Sequence, residues 1–199
     1  TELKALIEKG ELKDLDYGSF HAIRFDRHLY CPLLYTSGSG ITVIPVALNK
    51  GEREFLLDLK QYCEAHKDSF RGRELYLLRN QSKRGIGFFE AGNYYPDFIL
   101  WLLSDGCQHV AFLDPKGLRN VQGEDDPKIR FHQTIKELEA ELKDPYLTLD
   151  AFILSVTPFK DVKWWRGGMS KEEFAERHVF FLPDDKGTYI EMILTTMLK

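Results

Sequence analysis

The chain has 199 residues and a formal net charge of −4 at neutral pH, and this length suits one domain, with room for a small appendage. It is 43% hydrophobic and 13% aromatic, enough for a packed core, but no apolar run reaches the ~18 residues needed to span a bilayer. The charged first residues do not resemble a signal peptide, and three widely spaced cysteines exclude a disulfide framework or a zinc site. We therefore expect a cytoplasmic globular protein.

The first half of the chain contains one clear helix. Short amphipathic helices are predicted over residues 2–9 and 11–15, and extended segments over 21–25 and 41–47. From Gly51 to about residue 66, helical spacing predicts a helix whose apolar side carries Phe55, Leu56, Leu59, Tyr62 and Cys63. A strand over 73–78, a polar turn over 81–84 and the start of a strand over 86–89 follow.

A β-hairpin is predicted in the middle of the chain. Apolar runs at 97–103 and 109–113 flank Asp105-Gly106, and this dipeptide is a strong signal for a two-residue hairpin turn. Such a turn places residues whose numbers sum to 211 opposite each other, so that Asp97 faces Asp114. Lys116 lies two positions beyond Asp114 and therefore points to the same face of the sheet.

The second half predicts two more helices around short strands. Asp126 is a good N-cap before Pro127, and the helix should run to about Lys143 with Phe131, Ile135, Leu138 and Leu142 on its apolar face. A strand over 151–156, a capping box at 170–173, a strand over 178–182 and a helix over 189–198 follow. The central order of helix, three strands, helix and strand predicts an α/β fold with helices on both sides of a mixed sheet.

Two opposed carboxylates on one sheet face repel each other, and such pairs share a proton or hold a cation. Because nearby ligands would be oxygens, a hard cation such as magnesium is the natural guest. The ammonium of Lys116 could orient a metal-bound water or offset charge on a phosphate. The alternative is a surface hairpin with ordinary charges at its strand ends.

Pro96-Asp97, a strand, and then Asp114-Pro115-Lys116 resemble the PD-(D/E)XK nuclease signature. Together with residues 45–52, 94–101 and 113–117, the pattern resembles the C-terminal nuclease region of type III restriction-enzyme-like helicases. The resemblance implies a restriction endonuclease-like α/β/α core over about residues 45–157, with an N-terminal extension (1–44) and a C-terminal addition (158–199). The family usually has an apolar, non-proline residue where this chain has Pro115. Proline keeps the carbonyl, but its missing N–H requires an edge, an end or a bulge of the sheet.

The resemblance further implies a magnesium-dependent DNA endonuclease of restriction, defence or repair, with manganese as an alternative ion and a helicase or ATPase domain in the same full-length polypeptide. Asp97, Asp114 and Lys116 would be catalytic, and the metal would be held by Asp97, Asp114 and the Pro115 carbonyl. A helix-borne carboxylate often completes such sites. We expect Glu52, because it lies on the inward side of its helix, although Glu54 and Glu90 remain alternatives.

Basic residues that could follow a DNA backbone are unevenly distributed. Residues 71–84 contain five basic residues and one acidic residue, and Lys128 is a further basic candidate. The candidates for DNA binding are Arg71, Arg73, Arg79, Lys83, Arg84 and Lys128. A second basic cluster, Lys160, Lys163 and Arg166, surrounds Trp164-Trp165. The acidic net charge favours the alternative of a catalytically silent DNA-binding or scaffold domain of the same fold. A phosphohydrolase of small nucleotides would share the site but would not need the basic stretches.

Overall fold

The computed structural model describes residues 15–17, 20–23, 25, 28–30, 33–36, 46–88, 94–118, 121, 123–162 and 168–199. The helices predicted over 2–9 and 11–15 lie outside these residues, apart from residue 15, which begins a strand. Most of the strand predicted over 41–47 also lies outside them. Within the described part of the chain, no helix is long and apolar enough to cross a membrane.

The described chain forms one mixed six-stranded sheet and one small antiparallel sheet. The strands are β1 Leu15–Tyr17, β2 Phe20–Ala22, β3 His28–Tyr30, β4 Leu34–Thr36, β5 Arg73–Arg79, β6 Phe98–Ser104, β7 Cys107–Lys116, β8 Leu147–Ser155 and β9 Val179–Phe181. The helices are α1 Lys50–Ala65, α2 Pro127–Leu142, α3 Lys171–Glu176 and α4 Tyr189–Met197, with short 3-10 turns at Lys67–Phe70 and Phe159–Asp161. The predicted order of helix, three strands, helix and strand is confirmed as α1, β5, β6, β7, α2 and β8.

The large sheet has the strand order β3-β5-β6-β7-β8-β9. Strands β5, β6 and β7 pair antiparallel, whereas β3 pairs with β5, β7 with β8 and β8 with β9 in parallel. The parallel step from β7 to β8 needs a crossover connection, and α2 provides it. The two antiparallel steps bring the ends of β5, β6 and β7 together, and the candidate site lies where β6 begins and β7 ends.

Helices cover both faces of this sheet because its central strands carry apolar residues on both sides. On one face, α1 and α4 pack through residues such as Phe55, Leu59 and Ile193 against Phe98 and Leu113. The opposite face carries α2, and its core is built from Ile99, Val110, Phe112, Phe131 and Ile135. Full burial of each large side chain stabilises the fold by roughly 1.5–3 kcal/mol. The architecture is therefore a helix–sheet–helix α/β fold.

Side-chain capping begins α1, and it begins α2 and α3 where the sequence predicts. The Asn49 side chain accepts a bond from the Glu52 N–H, and Glu52 in return accepts from the Asn49 N–H, forming a capping box at α1. Asp126 caps α2 ahead of Pro127, and the predicted box between Ser170 and Glu173 opens α3.

Three sequence-based predictions differ from the structure. The strand β8 begins at Leu147 rather than Ala151, because its parallel pairing with β7 carries it through Asp150. Asp150 is buried and pairs with Lys136 at 3.2 Å, so a polar residue is tolerated there. Leu142 is 52% exposed, and Ile129 is buried on α2 in its place. Of the strand start predicted over 86–89, the described residues 86–88 form a single bridge, from Phe88 to Tyr94, and residue 89 lies outside the described part of the chain.

His178 sits in an unusual half-buried position beside the sheet. Its backbone φ is +57°, in the left-handed region. Its ring stacks on Phe152 at 4.8 Å and lies 5.5 Å from the ring of His132, while its Nδ1 contacts the Ala151 carbonyl at 3.2 Å. Burial, aided by the nearby charges of His132, Lys136 and Lys199, lowers the pKa of His178 to about 4.

We predict that His178 makes the fold sensitive to mild acid. The pKa of His178 is about 4 in the folded chain, against an ordinary value of 6.5. Between these values the unfolded chain binds the extra proton, so stability should fall as pH falls through this window, by roughly 1–3 kcal/mol. His178→Asn, which suits a left-handed backbone, should remove this loss in urea titrations from pH 7 to pH 4. The matched change His66→Asn, at an exposed histidine, should leave the loss in place, and an equal effect of both variants would contradict the assignment.

Candidate active site

The β6–β7 hairpin has the predicted register. Asp105 and Gly106 form the turn with φ angles of +53° and +80°, as a type I′ turn requires. Pairing runs from Ser104 opposite Cys107 to Phe98 opposite Leu113, and each pair sums to 211. Asp97 and Asp114 occupy the next positions beyond this ladder, so their side chains lie on the same face of the sheet. The predicted register of the hairpin is therefore confirmed.

Two prolines end the hairpin ladder beside the carboxylates. In β7 the Gln108 N–H donates to the Tyr146 carbonyl, and the Lys116 carbonyl accepts from the Val156 N–H. The even-numbered residues of this strand therefore bond to the β8 side, and the odd-numbered residues face β6. Pro115 therefore faces the β6 side, where its opposite residue would be Pro96. Because neither proline has an N–H, pairing cannot continue past Phe98 and Leu113. Pro115 thus stands at the end of the β6–β7 ladder, as its missing N–H requires, and its carbonyl is directed to the side of β7 where Asp97 lies.

Lys116 is held against Asp114. Its Nζ donates to Asp114 Oδ2 at 2.5 Å, and the side chains are 18% and 11% exposed respectively. The same ammonium lies 5.1 Å from the ring centroid of Tyr94. A buried charge needs a partner, and here the lysine charge is neutralised within the candidate site.

Asp97 carries the strongest electrostatic signature of the site. Burial, followed by the charges of Asp114 and Glu52 and by hydrogen bonding to Asp114, raises its pKa to about 8, and Lys116 offsets only part of this. At neutral pH, Asp97 consequently keeps its proton and the carboxylate pair shares it. A divalent cation would stabilise the same pair in its ionised form, because it would remove the repulsion that keeps the proton bound.

Glu52 reaches the region from α1 but is engaged elsewhere. Its carboxylate accepts from the Asn49 N–H at 3.1 Å and pairs with the buried Arg79 guanidinium at 3.3 Å. Burial raises the pKa of Glu52, although Arg79 and Asn49 oppose the shift and Asp114 adds to it. Its side chain is only 12% exposed, which agrees with the predicted inward direction. Its role as a metal ligand stays a prediction.

The other two candidate third carboxylates are not brought into the site. Glu54 lies on the outer side of α1 and approaches Lys50 at 3.8 Å. Glu90 falls outside the described residues. Among the residues that the structure describes, no three His, Cys, Asp or Glu side chains form a ready-made metal cluster.

The donors that remain fit magnesium or manganese. They are the carboxylates of Asp97 and Asp114 and the Pro115 carbonyl, all oxygens, and the two carboxylates sit close enough to share a proton. Magnesium prefers oxygen ligands, retains several waters and is commonly bound by one or two protein carboxylates. A set of two carboxylates and one carbonyl therefore suits this ion better than a soft transition metal.

The five basic residues of 71–84 do not form one surface. Arg71 and Arg73 lie at the start of β5, where Arg71 pairs with Asp68 at 3.0 Å and Arg73 donates to Ser104 at 3.2 Å. Arg79 ends the strand about 20 Å away by strand rise, and its side chain is 10% exposed beside Glu52. Arg79 thus belongs to a buried ion pair, whereas Arg71 and Arg73 face the opposite end of the sheet from the carboxylates.

Lys83 and Arg84 are exposed on a loop that is fastened next to Asp97. Asn80 makes this attachment: its N–H donates to the Asp97 carbonyl at 2.8 Å, and its side-chain amide donates to the carbonyls of Pro96 and Ile86. The amide oxygen also accepts from the Ile86 N–H at 2.9 Å. Sequence reasoning missed Asn80, because a single Asn after a strand carries no signal of so distant a set of partners.

Lys128 is exposed in the first turn of α2 and lines a narrow cleft together with Tyr94 and Arg177. Because Tyr94 also contacts Lys116, this cleft lies on the same side of the sheet as the carboxylate pair. In the second basic cluster Lys160 is exposed, whereas residues 163–167, which include both tryptophans, lie outside the described residues.

Searches against known proteins found no protein-family model, no curated protein and no solved structure that matches this chain.

We predict that Asp97 makes the metal-free fold less stable as pH rises. Its pKa is about 8 in the folded chain, against an ordinary value of 3.8. Between these values the unfolded chain releases the proton while the folded chain keeps it, so stability should decrease by up to about 1.4 kcal/mol per pH unit. Asp97→Asn should flatten this decrease in urea titrations with a chelator present.

The same variant tests metal binding. Magnesium or manganese should raise the melting temperature of the wild-type chain, because the ion binds the native state, and Asp97→Asn should remove most of that rise. Asp105→Asn provides a matched control at the far end of the hairpin, where Asn also suits the turn. A wild-type chain whose melting temperature is unchanged by saturating metal would contradict the site.

Proposed function

We propose that this chain is a metal-dependent endonuclease domain that hydrolyses DNA phosphodiesters. The observation that carries the proposal is the partly buried set of Asp97, Asp114 and Lys116, which the hairpin register places on one face at one end of the sheet. Like charges are costly in such a position, and perturbed carboxylates beside a lysine are typical of functional sites. The order of α1, β5, β6, β7, α2 and β8 supports a restriction endonuclease-like core.

In this proposal Asp97, Asp114 and the Pro115 carbonyl hold one magnesium or manganese ion. Bound there, the ion would lower the pKa of a coordinated water and neutralise charge on the scissile phosphate. Glu52 interacts electrostatically with Asp97 and Asp114 from α1, while its carboxylate bonds to Asn49 and Arg79.

Lys116 acts on the reacting water or phosphate. Its ammonium has three N–H donors, and the bond to Asp114 uses one of them. The partial burial of the lysine strengthens its attraction for an anionic phosphate relative to a fully solvated lysine. Lys116 thus stabilises charge that grows during the reaction, while its contribution to ground-state DNA affinity is small.

DNA is bound mainly by exposed cations on the site side of the sheet, namely Lys83, Arg84 and Lys128. Asn80 anchors the loop that carries the first two directly to the Pro96-Asp97 segment. A backbone phosphate held by this loop would lie close to the carboxylate pair. We further propose, from the resemblance to helicase-associated nucleases, that the domain works with a helicase or ATPase unit in a longer polypeptide.

Lys116→Ala is expected to abolish cleavage of supercoiled plasmid while leaving DNA affinity within about 2-fold, because the lysine acts in the transition state. Cleavage should be measured over a titration of magnesium and manganese, and affinity in calcium or chelator. Lys186→Ala, at an exposed lysine of the turn before α4, serves as the control and should cut normally. Undiminished cutting by Lys116→Ala would place the chemistry elsewhere in the chain.

Neutralising the loop should have the converse effect. Lys83→Asn with Arg84→Gln should weaken DNA binding and reduce the log–log salt slope by about one unit per lost phosphate contact, while cleavage at saturating DNA persists. Asn at position 83 suits its backbone φ of +64°. The control pair Lys67→Gln and Arg71→Gln, at the opposite end of β5, should leave the slope unchanged, and a larger effect of this pair would move the DNA to the other end of the sheet.

The alternative is a catalytically silent DNA-binding or scaffold domain of the same fold. The engagement of Glu52 by Asn49 and Arg79, together with the acidic net charge, favours it. A wild-type chain that binds DNA but cuts none with any divalent metal, even with a helicase partner supplied, would select this alternative.

A further inference from the structure

Tyr94 is a buried aromatic residue at the centre of the candidate site to which the proposed chemistry gives no role. The residue is 4% exposed. Its ring lies beneath the Lys116 ammonium, with Nζ 5.1 Å from the ring centroid. This separation is within the range in which a cation is attracted to the face of an aromatic ring. The ring and the Asp114 carboxylate therefore contact the same ammonium.

The position of Tyr94 is fixed by both its backbone and its ring. The Tyr94 N–H donates to the Phe88 carbonyl at 3.0 Å, and the Phe88 N–H donates back to Tyr94 at 2.8 Å. The Tyr94 ring meets Phe131 of α2 edge-on at 4.8 Å, and Phe88 packs on both Phe131 and Phe112. Tyr94 is thus anchored to the sheet and to α2.

Lys116 needs such support because a lysine side chain has four rotatable bonds and loses much rotamer freedom when it is held in one place. Asp114 fixes only the tip of the ammonium, through one hydrogen bond. A ring face at a second side restricts where the ammonium can move without taking up any of its N–H donors. Tyr94 thereby leaves the remaining donors of Lys116 available for water or phosphate.

We propose that Tyr94 is a positioning residue whose ring face holds the Lys116 ammonium beside the Asp114 carboxylate. The inference deepens the proposed function, since it assumes that Lys116 and Asp114 act on the same phosphate. One part of the inference is independent of catalysis, namely the placement of Lys116 over the Tyr94 ring.

The placement of Lys116 can be measured in the metal-free chain. Lysines carrying ¹³C-dimethyl groups give resolved NMR signals, and Lys116→Arg identifies the signal of Lys116. A group above an aromatic ring is shifted upfield, so the Lys116 signal should be shifted in the wild-type chain and in Tyr94→Phe. It should return to the position of exposed lysines in Tyr94→Leu. A signal that is the same in the wild-type chain and in Tyr94→Leu would overturn the inference.

Cleavage kinetics separate positioning from binding. Tyr94→Phe retains the ring face and should keep the single-turnover cleavage rate within about 2-fold of the wild-type rate. Tyr94→Leu should lower it by about 100-fold, as displaced catalytic groups do. The DNA concentration at half-maximal rate should stay constant in both variants. Tyr95→Phe and Tyr95→Leu, at the neighbouring tyrosine, are the matched controls and should keep the rate.

Phe131→Leu is the control for a general loss of stability, because it removes the ring that packs on Tyr94 but leaves the site residues in place. This variant should keep the shifted Lys116 signal and most of the activity. Should Tyr94→Leu fail to fold, Tyr94→Met replaces it in both measurements, because its flexible side chain fills irregular space without a ring.

The two proposals fail in different ways. A wild-type chain that never cleaves DNA but whose Lys116 signal depends on the Tyr94 ring would remove the nuclease function and retain the placement. A wild-type chain that cleaves DNA, with Tyr94→Leu or Tyr94→Met cutting at the full rate, would retain the nuclease function and overturn the role of Tyr94.

Discussion

The turn at Asp105-Gly106 sets the register on which the site depends. Both residues adopt positive φ, which matches the twist of the flanking strands, and the register then runs unbroken from Ser104 to Phe98. Because side chains alternate along a strand, a slip of one residue would send the carboxylate of Asp97 to the α1 face and leave Asp114 on the α2 face. The ends of β6 and β7 therefore carry a chemical arrangement that is specified about seven residues away.

The fold places two ion pairs at the site end of the sheet, one on each face. Lys116 and Asp114 face α2, whereas Arg79 faces α1 and pairs there with Glu52 of that helix. Each pair carries a desolvation cost that only good partners offset, and a buried pair is weak support for stability. Asp97 lies between the two pairs. Its raised pKa indicates that the nearby positive charge only partly compensates the cost of ionising this carboxyl. Such incomplete compensation is expected where residues serve binding or chemistry rather than the fold.

The sequence predicts the local features of this site well. Helical spacing, the capping residues and the Asp-Gly turn predict α1, α2 and the hairpin register, since each depends on residues close together in the chain. The buried position of Arg79 could also have been predicted from the sequence, because Leu75, Leu77 and Arg79 alternate onto one face of β5. Asn80 and Tyr94 could not be predicted in the same way. Their partners are set by how β5, β6, β7 and α2 pack, and no local pattern encodes that packing.

The connectivity of the sheet also orders the assembly of the protein in time. Strands β6 and β7 meet through a two-residue turn, so their pairing closes the shortest loop in the large sheet. The hydrogen bond from the Tyr189 hydroxyl to Asp58, at 2.9 Å, instead joins α4 to α1 across 131 residues. Contacts of low sequence separation form fastest, so the carboxylates should meet early and the last helix should dock late. During synthesis, the two aspartates would thus be brought together before α4, which covers the opposite face of their sheet together with α1, has left the ribosome.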